Sequence, residues 1–229
     1  MKKLNILILI LTLMPTFLIA QIRYGVTSGV NFSGFIGNDA RNMTHRTGFS
    51  AGAFLEYPIT EYFSFIPQLL YSVKGANSPA QMTLFTTAKK IRGGTPNVSP
   101  GSGSVDFGYD VDEKYEYLDI PLLLNYSLKF NNTKRVMVFL GPSAGILLRA
   151  QYLGKSATSG SVVDAKQSIP DQKKLDLGFV FGTGFGFEVL KHEAAVSFRY
   201  GFGFSPIDDS ANAYDIKNNY YSVMAGVWF

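Results

Sequence analysis

Two histidines are the residues of this chain best suited to supply a catalytic base, and they are His45 and His192. His45 lies within Asn42–Arg46, a segment with neither the glycine-flanked serine of a nucleophile elbow nor the spacing of a metal site. The chain has no cysteine, so thiolate ligands, disulfides and cysteine-linked lipids are excluded. These residue types favour a non-enzymatic protein without metal or cofactor. A hydrolase that uses His45 is the less favoured alternative.

A set of charged residues is the second candidate for chemistry. They interrupt segments in which apolar and small or polar residues alternate, and they fall in the small and polar register. If the segments are strands of a closed barrel, these charges all face the lumen. A narrow lumen is partly dry, so the charges must be paired there. The set consists of Glu56, Lys74, Asp119, Arg149, Asp176, Glu188 and Arg199.

The elements that must position these charges are strands, because two-residue alternation recurs along the chain. Three connections between them are tight, and four are longer and rich in Gly, Ser, Asn, Pro and charge. Short turns on one side and long loops on the other are typical of outer-membrane barrels, and an even strand number puts both termini on the periplasmic side. The eight predicted strands are Ile22–Ser33, Thr47–Tyr57, Phe63–Lys74, Tyr117–Tyr126, Val136–Arg149, Asp176–Glu188, Ala194–Ser205 and Tyr220–Phe229.

The polar register of the sixth predicted strand distinguishes a membrane barrel from a soluble one. It reads Asp176, Gly178, Val180, Gly182, Gly184, Gly186, Glu188. A surface that faces water would carry Lys and Glu at most of these positions, whereas glycines suit a narrow lumen. The opposite register holds four phenylalanines, which suit lipid. The sequence therefore predicts an all-β, eight-stranded, antiparallel transmembrane barrel.

Both ends of the chain indicate export to the outer membrane. Residues 1–20 have the basic start, short apolar run and small final residue of a signal peptide, which leaves 21–229 as one barrel domain. Without Lys2 and Lys3 the formal charge falls from +4 to +2, too little for a nucleic-acid partner. The closing strand ends on Phe229 and resembles the terminal strand that the barrel insertion machinery reads in outer-membrane proteins.

Several segments together resemble one family. The chain is similar to the PorT-type outer-membrane β-barrel family of Bacteroidetes along essentially its whole mature length. The resemblance implies the fold and the location, and it suggests an accessory role in type IX protein secretion, in which the namesake takes part. The segments are Glu61–Ala76, Tyr117–Tyr126, Phe139–Gly145, Leu177–Gly184 and Val196–Gly201.

The expected function is a structural or interaction role in the envelope, through the outer loops. The expected partners are outer-membrane lipid, the insertion machinery and other envelope proteins, including those of secretion. The lumen charges are expected to form a structural network in which Arg199 meets Glu188 or Asp176. The alternative is a polar path through the lumen, as in a small-solute porin or a ligand-binding barrel.

Overall fold

The strands are the main elements of the computed structural model, which describes residues 22–38, 40, 43–79, 109–131, 133–158, 161–169, 172–208 and 215–229. No helix within these ranges is long and apolar enough to cross a membrane. The predicted signal peptide, residues 1–20, lies outside them. The described strands are β1 (Arg23–Ile36), β2 (Thr44–Pro58), β3 (Phe63–Pro79), β4 (Tyr109–Asn131), β5 (Lys134–Thr158), β6 (Ser161–Ser168), β7 (Leu175–Val189), β8 (His192–Gly203) and β9 (Lys217–Trp228).

Eight of the strands in the described ranges close into an antiparallel barrel, as the sequence predicts. The hydrogen-bonded order runs β4-β3-β2-β1-β9-β8-β7-β5, and a further pairing of β4 with β5 closes the ring. The first and last strands pair along their length, from Gly25 opposite Trp228 to Ile36 opposite Lys217. Closure leaves no unpaired edge within the ring, which is the condition for strands to cross a bilayer.

The ninth strand, β6, corrects the predicted loop Gln151–Lys173. Instead of ending at Arg149, β5 continues to Thr158, and β6 folds back along its outer part. Likewise β4 begins at Tyr109, inside the predicted loop Ala76–Asp112. The charges of this part of β4 break the apolar alternation that identifies strands from sequence. They still form a ladder because backbone hydrogen bonds do not depend on apolar side chains.

The outer face of the barrel carries an apolar band. Outward residues such as Val26, Leu69 and Phe181 are large and about half exposed, at 52%, 51% and 48%. On β4 the band ends where the outward register changes to charge, beginning at Glu116. A strand needs about 9–11 tilted residues to cross the hydrocarbon layer, so the 23 residues of β4 extend well beyond it.

The two ends of the barrel differ in their connections. At one end β7 and β8 are joined by Leu190 and Lys191, whose positive φ angles of 50° and 68° are those of a tight hairpin turn. The start of β1 and the end of β9 lie at this end, and Phe229 packs there against Tyr24 and His192, with ring centroids 5.9 and 5.5 Å apart. We refer to it as the turn end, and to the opposite end as the loop end.

Candidate functional site: the charged lumen

Glu56 is the centre of the charges at the turn end. Its side chain is buried, with only 2% of the residue exposed. Ser64 Oγ donates a hydrogen bond to it at 2.9 Å, and Trp228 Nε1 donates another at 2.6 Å. Arg135 Nη1 lies 3.3 Å from Glu56 Oε1, and Arg23 forms a second ion pair with the same carboxylate. The carboxylate is therefore fully satisfied by donors from four other strands.

Glu193 balances the charge of the two arginines. It forms ion pairs with both Arg23 and Arg135. The register of the β1–β2 pairing explains the contact between Arg23 and Glu56, because these two residues are direct cross-strand partners. We call Arg23, Glu56, Arg135 and Glu193 the turn-end cluster; it carries two positive and two negative charges.

Lys74 and Asp119 form the corresponding ion pair toward the loop end. The Lys74 Nζ lies 2.9 Å from the carboxylate, and each side chain is only 4% exposed. The same ammonium lies over the rings of Tyr117 and Tyr220, at 5.0 and 4.7 Å from their centroids. Gly75, next to Lys74, has a φ of +141°, and a Cβ there would meet a backbone oxygen of β4 at 1.8 Å. Glycine at this position therefore lets β3 approach β4 closely.

Asp176 is the second carboxylate of this region. Asn218 Nδ2 donates a hydrogen bond to its Oδ2 at 2.8 Å, and the same nitrogen lies 3.1 Å from the hydroxyl of Tyr117. The other oxygen of Asp176 is buried without a hydrogen-bond partner among the described residues. The loop-end group thus consists of one fully paired carboxylate and one partly satisfied carboxylate.

An apolar cap covers these charges at the loop end. Tyr115 is 1% exposed and packs edge-on against Phe35, with ring centroids 5.7 Å apart. Ile207, 2% exposed, comes from the connection between β8 and β9, and its backbone is tied to Ile216 by a 2.9 Å hydrogen bond. The buried members of the cap are Phe35, Ala76, Tyr115, Tyr117, Ala150, Ile169, Ile207 and Ile216.

Arg199 lies between the two charged regions, with 8% of the residue exposed. Its Nη1 donates to Gln68 Oε1 at 2.7 Å, and its guanidinium lies over the ring of Phe139, 5.3 Å from the centroid. Among the described residues, no carboxylate forms an ion pair with it. A cavity of about 40 Å³ adjoins it, lined also by Thr27 and Ser197.

The inward glycines of β7 make room for these side chains, as their spacing predicts. A Cβ at Gly182 would meet the ring of Phe139 at 2.7 Å, and one at Gly186 would meet Arg135 Cγ at 2.8 Å. The Gly182–Gly186 segment is therefore a strand that accommodates large side chains from β5, rather than a phosphate-binding loop.

The structure places five of the seven predicted lumen charges inside the barrel and corrects the other two. Arg149 is exposed, because Leu148 is an extra residue between the pairs Tyr117–Leu147 and Glu116–Arg149 and thus reverses the facing of the next residues of β5. Glu188 keeps the inward register but is exposed, because it borders an open cleft of about 320 Å³ at the turn end. The five buried charges are Glu56, Lys74, Asp119, Asp176 and Arg199.

The predicted partners of Arg199 are wrong. Arg199 is opposite Gly182 in the β7–β8 pairing. Asp176 and Glu188 each lie six positions from Gly182 along β7, or about 20 Å at 3.3 Å per residue. Neither carboxylate is in reach of the guanidinium. Gln68, which carries no charge, occupies the expected place of the acid.

Three members of the turn-end cluster are absent from the predicted set. Arg23 is in the inward register of the first predicted strand, so the alternation of that strand is sufficient to identify it as a lumen charge. Arg135 precedes the predicted start of its strand by one residue, and Glu193 falls in a predicted turn. Because hairpin pairing continues to the last residues before the turn, extending each predicted strand by two residues would identify them.

The two histidines lie on opposite ends of the barrel. The sequence predicts a loop at His45, but this residue lies on β2, exposed, with its ring 6.3 Å from that of Tyr221. His192 is the first residue of β8 and packs against Phe229. Within the described ranges, no group of three or more His, Cys, Asp or Glu side chains is arranged to hold a metal ion.

One family model and several solved structures are similar to this chain. Residues 18–209 match the model of the outer membrane protein beta-barrel domain. Ail of Yersinia pestis, solved with the heparin analogue sucrose octasulfate, is 14% identical, with 91% of this chain and 99% of that chain covered and a TM-score of 0.42. Neisserial surface protein A is 14% identical (90% and 97% covered, TM-score 0.47). The N-terminal barrel domain of Pseudomonas aeruginosa OprF is 10% identical (91% and 100% covered, TM-score 0.36).

A comparison with curated protein sequences finds no match. The family model nevertheless covers most of the chain, and the chain therefore belongs to the outer membrane protein β-barrel domain family.

Proposed function

We propose that this protein is a closed, non-enzymatic structural or interaction component of the outer membrane, with both termini in the periplasm. The observation that carries the proposal is the filling of its lumen. Four groups follow one another along the barrel axis: the turn-end cluster, Arg199 with Gln68, the Lys74–Asp119 pair and the apolar cap. A barrel of eight strands leaves room for little beyond such side chains. A solute would have to displace buried ion pairs to pass.

The loop end supplies the surface for a partner. There β3, β4, β5 and β6 pair as a sheet beyond the apolar band. The described outward side chains of β4 in this region are the charged Asp112, Lys114 and Glu116, and Lys114 forms an ion pair with Glu116 at 2.7 Å. A polar sheet held rigidly above the bilayer presents a surface to other envelope proteins without a change in the barrel.

Planar bilayer recording tests the closed lumen. The refolded protein is added to the membrane, with a general porin as the positive control. We expect no unit conductance steps, since both ends of the lumen are blocked. Steady, reproducible steps from the intact protein would contradict the proposal and favour a small-solute porin.

Site-specific photo-crosslinking in intact cells tests the interaction role. A crosslinking residue at Lys114 on the loop-end sheet should yield a discrete adduct with an envelope protein. A crosslinking residue at Lys129, which is exposed at the turn end, is the matched control and should not yield that adduct. Absence of an adduct at Lys114, or the same adduct at both positions, would contradict a partner at the loop end.

The accessory role in type IX secretion is supported only by the resemblance to the PorT-type family. Deletion of the gene should reduce the secreted proteins of that route if the role holds. Unchanged secretion in a deletion strain with a normal outer membrane would contradict this role.

A lipid hydrolase at the rim would need His45 as its base. His45 packs beside an aromatic ring rather than a carboxylate. We expect His45→Ala to leave lipid turnover unchanged when the variant and the parent are compared in the same vesicles.

A further inference from the structure

We propose that the middle of the barrel binds a small, weakly hydrated monovalent anion, with chloride as the physiological ligand, next to Arg199. The proposal goes beyond the closed-barrel function, because a sealed lumen can be filled with or without a bound ion. It rests on a buried cation without a counter-charge and on a cavity beside it.

The charge balance of the lumen supplies the first argument. The four charges of the turn-end cluster neutralise one another, and Lys74 is paired with Asp119. Another buried carboxylate, that of Asp176, lies beside that pair, about 20 Å along β7 from the residue opposite Arg199. Arg199 has no such partner in the described part of the chain, and its neighbour Gln68 is neutral. A buried cation is strongly unfavourable unless an anion compensates it. The contact with Phe139 compensates it only in part.

The cavity supplies the second argument. Its volume of about 40 Å³ is enough for one halide or for two or three water molecules. Hydrogen-bond donors line it, namely the guanidinium of Arg199, the amide of Gln68 and the hydroxyl of Ser197. The hydroxyl of Thr27 also lines it but already donates to the backbone carbonyl of Ala225 at 2.9 Å. The three donors lie on β3 and β8, which are not neighbours in the sheet, and they converge only in the closed barrel.

The remaining walls of the cavity select the kind of anion. Apart from Asn125 they are apolar, and they include Phe54, Phe139 and Trp228. Sulfate, phosphate and carboxylates are larger and more strongly hydrated than halides, and their strong hydration opposes transfer to an apolar wall. Chloride and bromide are small enough to fit and lose water more readily. Because ion pairs block the lumen on both sides of the cavity, the anion would stay bound as a counter-ion of Arg199 and would not pass through the barrel.

Halide-dependent stability is the first test. The detergent-refolded protein is unfolded in urea, which adds no ions, with sodium chloride, bromide or gluconate at equal ionic strength. We expect chloride and bromide to raise the midpoint saturably above the value in gluconate, which is too large for the cavity. Arg199→Met should abolish this difference. Lys74→Met, which removes a buried cation that has its own carboxylate, should retain it.

Crystals of the unchanged protein grown in sodium bromide provide the second test, which does not depend on any variant folding. We expect an anomalous bromide peak within hydrogen-bond distance of the Arg199 guanidinium. Water alone at that position would overturn the proposal. So would equal midpoints in chloride and gluconate, or a halide effect that persists in Arg199→Met.

Discussion

The turn end and the loop end close the same lumen in different ways. At the turn end, the plug is ionic and every charged member lies on a barrel strand, so the register of the sheet fixes its geometry. At the loop end, an ion pair lies beneath an apolar cap whose members include Ile169 and Ile207 from the connections. A plug built on strands is inseparable from the barrel. A cap built partly on connections can be altered while the barrel remains.

The largest effect is expected at Glu56. Glu56→Ala leaves the buried Arg135, the partly exposed Arg23 and the indole N–H of Trp228 without their common acceptor. Breaking a buried pair costs about 3–5 kcal/mol. Urea unfolding of the refolded protein measures the loss. Glu193→Ala is the control, because that side chain is 27% exposed and its loss should cost about 1 kcal/mol or less. Equal losses for both variants would show that Glu56 is not the centre of the cluster.

Lys74→Met tests the ion pair of the loop end. We expect a loss of about 3 kcal/mol, at the low end of the range for a broken buried pair. The loss is smaller than at Glu56 because a stranded carboxyl group can become neutral by taking up a proton, whereas a guanidinium stays charged. The double variant Lys74→Met with Asp119→Leu should recover part of the stability in the same assay. Strict additivity of the two changes would mean that the pair contributes nothing.

Glu113 gives the loop end a dependence on pH. It lies three residues beyond Glu116, outside the apolar band, and it is 7% exposed. The pKa of Glu113 is raised from 4.5 to about 7, chiefly by burial and also by the neighbouring Asp112, while a hydrogen bond from Tyr115 opposes the shift. The folded state therefore holds the proton more tightly than the unfolded state. The resulting stability is complete below pH 4.5 and is lost as the pH rises to about 7.

Unfolding measured between pH 4 and 8 checks this dependence. We expect the unfolding free energy to fall by about 1–3 kcal/mol over that range, at 1.36 kcal/mol for each unit of pKa shift. Glu113→Gln, which stays neutral, should flatten the curve, whereas Glu61→Gln at the exposed turn end should not. An unchanged slope in Glu113→Gln would assign the pH dependence to another group.

Deletion of Phe229 is expected to have the smallest effect on stability. It removes ring contacts with Tyr24 and His192, which are worth about 1 kcal/mol. We nevertheless expect a much lower amount of the protein in the outer membrane, because the resemblance of the closing strand to those of other outer-membrane proteins implies that the insertion machinery reads Phe229. Phe63→Ala, which removes a comparable turn-end contact with Tyr126, is the control and should assemble normally. Normal membrane levels of the deletion variant would contradict this role.

Alternation predicts the barrel because each crossing strand must present one face to lipid and the other to a narrow lumen. The closing strand through Phe229 and the glycines of β7 obey this rule, and the structure agrees with both predictions. The bulge at Leu148 cannot be foreseen, because one extra residue leaves no mark in composition and yet turns Arg149 outward. The predicted pairing of Arg199 also fails, because it depends on which positions of β7 and β8 stand opposite, and side-chain type alone does not determine hairpin register.

The partners of Glu56 also bear on the kinetics of folding. Gly25 pairs with Trp228, 203 positions away, so the seam between β1 and β9 has the longest chain separation in the barrel. Contacts of such high sequence separation are expected to form late. Arg23 and Trp228 lie on the two strands of this seam, and both bind Glu56. The turn-end cluster is therefore complete only after the seam has closed. Because its contacts form late in folding, we expect the cluster to slow unfolding and to leave the rate of folding nearly unchanged.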